Sequence, residues 1–386
     1  MIPSDDLGGA ERYAQRIALA ARDQWDVTVA LRAEPALAPL WAELFDADLR
    51  LLRLVRGRRL RGFVGFSVIL ALHRPRVVHL TLPWPVHGMD VRLACAVAGV
   101  PVVAVHALVP PADDLEVKHR WLYAWTESRR QSWVAVSDFG RRSLAAAFGV
   151  PQERVAVIRN APRPRATSAP EVRHGPESGE QVTLPAHDGL VIASVGRLSH
   201  EKGHDVLIDA AATLVARFPG LLVVIAGEGP ARAALEAQIQ QLGLGRHVYL
   251  LGQVADIPAL LATTDVFAFP SRMEGTPAAL LEAMLHGVPT VAAEFEGADE
   301  VITAGHTGLL VPRDDADALA GAIERLLQSP GDARAMAERG RTAAGEFDEP
   351  TLLRETLTAL DLAGGVSTST TRRAGAQAAR AATQPE

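Results

Sequence analysis

Glu274 and Glu282 stand eight residues apart in the segment Ser271 to Pro289. An apolar run that reads as a strand, Val266–Phe269, precedes it. Thr276 suits a helix N-cap and Pro277 the first turn. The pattern predicts a helix over Pro277–His286, ended by Gly287 and Pro289. Glu274 then falls on the entry loop with Gly275 and Thr276, and Glu282 about two turns from the cap. A helix start offers free N–H groups and a positive dipole end to an anion. Carboxylates on either side of that anion could accept hydrogen bonds from hydroxyl groups. The plainer alternative is one solvated helix charge and one loop charge. The strand-loop-helix setting weighs against it, because ligands of open α/β sheets bind at the carboxyl ends of strands.

A second segment, Ser194 to Gly203, runs between a strand at Leu190–Val195 and a helix at Asp205–Phe218. Gly196 would let the backbone turn sharply. Arg197 and Lys202 would lie over the carboxyl edge, where two fixed cations suit a diphosphate. A surface basic pair is the alternative. Gly8 and Gly9 open the first helix, and glycines there permit close approach of a ligand. Taken alone they signal only a turn. His106 ends the strand Val102–His106, where structural and functional readings weigh equally. Ala226-Gly-Glu-Gly-Pro has two glycines after a strand, but Arg232 stands where a dinucleotide fingerprint needs the third. No acid follows about 20 residues later, and nicotinamide binding is rejected. A strand-to-helix turn is preferred there. No phosphate loop, nucleophile elbow or His-Glu-x-x-His occurs, and no metal site is expected.

These segments need strands and helices to hold them. The 386 residues suggest two or three domains. With 48% hydrophobic and 22% charged residues, real cores form and global disorder is excluded. A net charge of −6 argues against a nucleic-acid partner. The one cysteine, Cys95, excludes a disulfide framework. Residues 1–12 lack the basic start and apolar run of a secretory signal. Leu93–Ala112 has the length of a membrane span, but Pro101, Pro110 and Pro111 favour helix, turn and buried strand. A cytoplasmic protein is expected.

Short apolar runs at Val27–Leu31, Val77–Leu80, Val102–His106, Trp133–Val136 and Val155–Ile158 alternate with helical periods such as Ala10–Ala21. After Arg163–Gly189, rich in Pro, Ser and Gly, the alternation restarts and runs to Thr290–Ala293. The expected fold is α/β with two Rossmann-like domains. Residues 1–162 form the first, 163–189 a linker, 190–347 the second, and 363–386 a disordered tail. A helix near 348–362 is expected to pack back on the first domain. Only Met1–Ser4 precede the first turn, so the first strand is nearly missing, and a true start upstream of Met1 is expected. Leu49–Arg61 holds six arginines among Leu and Val. It reads either as a docking surface for anionic membrane or as a solvated helix face.

The series Gly8-Gly9, Val136-Ser137, Asn160, Gly196-Arg197-Leu198, Glu201-Lys202-Gly203, Glu274-Gly275 and Glu282-Ala283 resembles that of retaining nucleotide-sugar glycosyltransferases of family 4, with the GT-B fold. Gly305–Pro312 and Asp314 resemble its later loop. The likeness spans roughly residues 6–330. It implies two domains facing across a cleft, donor bound by the second and acceptor by the first. It implies that Arg197 and Lys202 hold the diphosphate, Glu282 the ribose, and Glu274 the donor sugar. His106 would approach that sugar, Gly9 the phosphates or acceptor, and Gly252 to Val254 the base. Retention by front-face attack is the implied mechanism, with no cofactor beyond the nucleotide-sugar donor. A carbohydrate or lipid-linked acceptor is the implied partner, in polysaccharide, glycolipid or glycoconjugate synthesis. A peripheral place at the inner face of the plasma membrane would follow from Leu49–Arg61. A non-catalytic subunit and a sugar-nucleotide epimerase of the same fold are the competing readings.

Overall fold

The computed structural model describes residues 9–32, 34, 37–54, 59–115, 117, 120–127, 130–162, 184–185, 187 and 189–365. Gly8, Met1–Ser4, most of the 163–189 linker and the tail from 366 lie outside the described residues. The chain divides into two compact units, Met1–Asn160 with Pro350–Glu386, and Ala161–Glu349.

The first unit alternates α1 (Gly9–Ala21), β1 (Thr28–Arg32), α2 (Ala38–Asp46), β2 (Arg50–Leu54), α3 (Arg59–His73), β3 (Val78–Leu82), α4 (Met89–Ala98), β4 (Val102–His106), α5 (Arg120–Glu127), β5 (Gln131–Ala135), α6 (Asp138–Phe148) and β6 (Val155–Val157). Its parallel strands form two separate sheets, β1-β2 and β3-β4-β5-β6. Among the described residues no strand joins β1 to β3. A cavity of about 220 Å³ is lined by residues of both, including Val29, Ala30, Val78 and His79. One expectation is corrected here. Leu49–Arg61 is not one helix: it begins as strand β2, and α3 starts only at Arg59. Alternating Arg and Leu on a part-covered strand mimic a basic helix face.

The second unit contains β7 (Val191–Val195), α7 (His204–Arg217), β8 (Leu222–Ala226), α8 (Arg232–Gln241), β9 (Val248–Gly252), α9 (Ile257–Ala262), β10 (Val266–Phe269), α10 (Ala278–Leu285), β11 (Thr290–Ala293), β12 (Leu309–Val311), α11 (Ala316–Gln328) and α12 (Pro330–Ala344). Helix α13 (Glu349–Gly364) then reaches the first unit, where Thr356 Oγ1 lies 3.3 Å from Tyr13 Oη. Burial pushes the Tyr13 hydroxyl up to about 12.

All six strands of the second unit are parallel, in the order β12-β11-β10-β7-β8-β9. Helices cover both faces, so its strands are apolar throughout rather than alternating. Ile192, Val223 and Ile225 pack with residues of α7, α8 and α11. Val191, Leu222 and Val224 pack with residues of α9 and α10 on the other face. Each such buried Val, Leu or Ile contributes about 1.5–3 kcal/mol relative to exposure.

The strand order reverses between β7 and β10. The carboxyl ends of strands at such a reversal are the usual ligand position in open α/β sheets. Glycines set how closely the loops pack. A Cβ on Gly227 would lie 1.8 Å from the Gly196 carbonyl oxygen, and one on Gly229 2.3 Å from that of Leu198. Backbone bonds from Gly196 N to Ala226 O and from Leu198 N to Glu228 O zip these loops together. Gly196 itself is outside the left-handed region, and its nearest Cβ contact would be an ordinary 3.5 Å. The expected demand for glycine at the turn thus falls on residue 227, not 196. Gly227→Ala should lower Tm by several degrees in calorimetry, because backbone cannot yield as a side chain can. Gly196→Ala should leave Tm near that of the wild type.

Candidate functional site

The β7 strand ends at Val195, and residues His200–Lys202 make one tight turn before α7. Gly203 closes that turn with φ +65, and a Cβ there would sit 2.0 Å from the Pro270 carbonyl oxygen. The loop after β10 is therefore pressed against the loop after β7. This contact sets the site's geometry.

Lys202 Nζ reaches across and donates to Glu274 Oε1 at 2.6 Å. Ser271 Oγ donates to the same oxygen at 2.6 Å. The Glu274 residue is only 8% exposed, so these two donors compensate a costly desolvation. The structure thus brings together Lys202 and Glu274, residues 72 positions apart in the chain. Arg197 does not join them: it pairs with Glu201 of its own loop. Glu201 stays below the usual carboxylate range. Burial alone would raise it, but hydrogen bonds from its own N–H, Ser199 and Arg197 outweigh that.

Glu282 lies on α10, half-buried, in the helix that leaves this loop. Gly275 and Thr276 are part-exposed in the loop itself. The expected cap is corrected. Helix α10 begins at Ala278, its N-cap is Pro277 with φ −80 and ψ 75, and no side chain caps it. Pro277 is one residue short of helical geometry, so Thr276 falls outside the capping position. The Ala278 N–H, the first of the helix, bonds to the Thr276 carbonyl at 2.9 Å, and no side chain caps the N–H groups that follow.

Gly252 ends β9 with φ +74, and its carbonyl accepts from Gly227 N at 2.7 Å. Val254 packs part-buried against the neighbouring core. Both therefore stand at the same carboxyl edge as the loops after β7 and β8. Gly9 is the first residue of α1, exposed, with open space around the place of a Cβ.

His106 is the last residue of β4. It is 0% exposed, stacked on Trp133 at 5.0 Å, with Nδ1 3.1 Å from the Val134 carbonyl. Burial, with the nearby Arg92 charge, lowers its pKa to about 3, so the ring is neutral. The Cβ of a strand residue points to one face or the other. At position 106 it points inward, under helices, and not to the sheet's edge.

Several residues escaped the sequence. Arg272 holds both Asp205 oxygens, at 2.9 and 2.7 Å, and Asp314 at 2.6 Å. Its side chain is 14% exposed. This brace ties the Ser271 loop to the start of α7 and to the loop before α11. His204, 2% exposed, lies beside it with Nδ1 3.4 Å from Ser194 Oγ. Burial and the Lys202 charge lower its pKa to about 4. No sequence signal links Arg272 to Asp205, 67 residues away, because only the strand crossover makes them neighbours. Among the described residues no three His, Cys, Asp or Glu side chains converge as a metal site, and no helix is long and apolar enough to cross a membrane.

Two family models match. Residues 7–162 match Glycosyltransferase Family 4, and residues 178–343 match Glycosyl transferases group 1. Among curated relatives, a 2-deoxystreptamine glucosyltransferase of Streptomyces kanamyceticus is 29% identical over 75% of this chain and 81% of its own length. A GDP-mannose-dependent alpha-(1-6)-phosphatidylinositol monomannoside mannosyltransferase of Mycolicibacterium smegmatis is 34% identical over 53% of this chain. The match spans only 55% of that relative. Among solved structures, Anabaena HepE in complex with UDP and glucose superposes with a TM-score of 0.75 at 23% identity, over 93% of this chain and 99% of its own.

Asp205 carries a testable consequence. Burial would raise its carboxyl, but the Arg272 bonds outweigh this and hold it below its ordinary value. A depressed carboxyl adds stability above its unfolded pKa, and that is lost as pH falls through the folded pKa. Asp205→Asn should therefore lower Tm near pH 7. The gap to wild type should close below about pH 4. Calorimetry across that range checks it; a constant gap would contradict the brace.

Two matched family models, the reversal of strand order between β7 and β10, and the paired loops beside it agree: the chain belongs to the GT-B glycosyltransferases of the family 4 type.

Proposed function

We propose that the chain moves a sugar from a nucleoside-diphosphate sugar to an acceptor hydroxyl with retention at the anomeric carbon. The Lys202–Glu274 contact at the reversal of strand order carries this reading. A basic and an acidic group held there, beside an uncapped helix start, suit a diphosphate flanked by sugar hydroxyls. The second domain, 190–347, binds the donor. The first domain, 1–162, takes the acceptor, with Gly8 and Gly9 near it. The GDP-mannose dependence and phosphatidylinositol mannoside acceptor named for one relative support a nucleotide donor and a lipid-linked acceptor.

Breaking the sugar–phosphate bond leaves charge on the departing diphosphate. Lys202, Arg197 and the N–H groups opening α10 stabilise that charge before the reaction begins. A diphosphate carries more charge than a carboxylate, so it competes with Glu274 for the Lys202 ammonium. Glu274 is then released to accept from the donor sugar. Glu282 accepts from the ribose, and the edge from Gly252 to Val254 meets the base through backbone. The leaving phosphate takes the acceptor proton in front-face attack, which leaves no step for a separate protein base. The pathway is cell-surface polysaccharide, glycolipid or glycoconjugate synthesis, with contact to membrane from the arginine-rich Leu49–Arg61 region.

Thermal shift against a panel of nucleotide sugars should identify the donor, since a ligand of the native state raises Tm by mass action. With that donor, Lys202→Ala should lose about 10²–10³-fold in turnover while its circular dichroism stays normal. Unchanged turnover would refute the role. Glu282→Ala should weaken nucleotide binding in calorimetry; equal affinity would remove it from the site.

A further inference from the structure

His204 opens α7, a helix of 14 residues whose N-cap, Gly203, offers no side-chain cap. The residue is 2% exposed. Its Nδ1 lies 3.4 Å from Ser194 Oγ, and its Nε2 makes no aligned hydrogen bond among the described residues. A buried polar atom left in that way is costly and rare. An apolar ring would fill the same space without the cost, so packing alone does not account for the histidine.

The position of Nε2 is informative. A Cβ built on Gly196 would lie 3.5 Å from His204 Nε2 and 3.7 Å from Lys202 Cδ. The imidazole and the lysine stem therefore flank one side of the turn that leaves β7, and the lysine reaches past it to Glu274. A helix start, a cation and a buried ring nitrogen thus meet at the reversal of strand order. The charges around the ring oppose one another. Burial first, and then the Lys202 ammonium, lower its pKa to about 4. The carbonyls of Gly196 and Arg197 and the Asp205 carboxylate pull the other way, and Asp205 is itself held by Arg272. A diphosphate at Lys202 would bring negative charge to this turn and favour the imidazolium, both of whose nitrogens donate.

We propose that His204 is a further donor to the bound diphosphate: as Lys202 exchanges Glu274 for phosphate, the ring takes a proton from water and Nε2–H donates to a phosphate oxygen beside Gly196. The proton returns to solvent when the diphosphate leaves. The inference rests on the reading that a diphosphate binds at Lys202, and it adds to that reading a residue and a dependence on pH. Between the pKa values of the free and the occupied site, affinity should rise as pH falls, because binding takes up a proton.

Nitrogen-15 NMR of the imidazoles and titration calorimetry test it on the full chain, with UDP-glucose, GDP-mannose and inorganic pyrophosphate as probes. The His204 signals are assigned by their loss in His204→Gln. A bound probe should move both nitrogens to imidazolium shifts at about pH 6. The diphosphate of a sugar nucleotide is a diester with no proton to exchange near neutral pH. Calorimetry with UDP-glucose or GDP-mannose in buffers of different ionisation heat should therefore read uptake of a proton by the protein. His204→Phe should lose about 10–100-fold in affinity. His204→Gln, which keeps a neutral N–H, should recover most of the affinity and none of the proton uptake, with Tm confirming that both variants fold. Ring nitrogens that stay neutral with probe bound would overturn the proposal without any variant, and so would wild-type affinity in His204→Phe. Lys202→Ala separates the two levels. A probe that binds this variant as tightly as wild type removes the diphosphate reading itself. A probe that needs Lys202 but leaves His204 neutral removes only the present inference.

Discussion

One contact governs the second unit: the backbone of the loop after β7 lies against the backbone of the loop after β10. Gly203 makes it possible, since any Cβ there would meet the Pro270 carbonyl at 2.0 Å. With the backbones that close, Lys202 spans the gap and meets Glu274. The buried carboxylate needs donors, and it finds two, from Lys202 and Ser271. The cluster is polar, satisfied, and held in place by the sheet beneath it.

Arg272 makes this contact rigid. Its planar guanidinium binds Asp205 with two parallel bonds and Asp314 with a third. Arg197, by contrast, is half-exposed and pairs with Glu201 of its own loop. The two arginines show a division of labour that charge alone does not reveal. One locks the loops together, and the other stays near solvent.

The second unit was readable because its sheet is covered on both faces. Continuous apolar runs such as Leu222–Ala226 allow little else than a buried strand. The first unit was harder. β2 reads Arg-Leu-Leu-Arg-Leu, is only part-covered, and passes for a basic helix. The three-residue β12 is too short for a period, and α12 is too polar along its length. The cavity beside Val29 and Val78 had no signal in the sequence.

His106 stands at the carboxyl end of β4, with its ring packed on Trp133 inside the unit. The amino-acid order alone determined the alternation of strand and helix and the residue types of the loops after β7 and β10, because propensity, capping and turn residues act over a few neighbours. Tertiary structure alone decided that Lys202 meets Glu274, that Arg272 rather than Arg197 joins the loops, and that residue 106 faces inward. Those outcomes depend on which strand the chain crosses to and which face the helices cover, and both are set by packing among segments far apart in the chain.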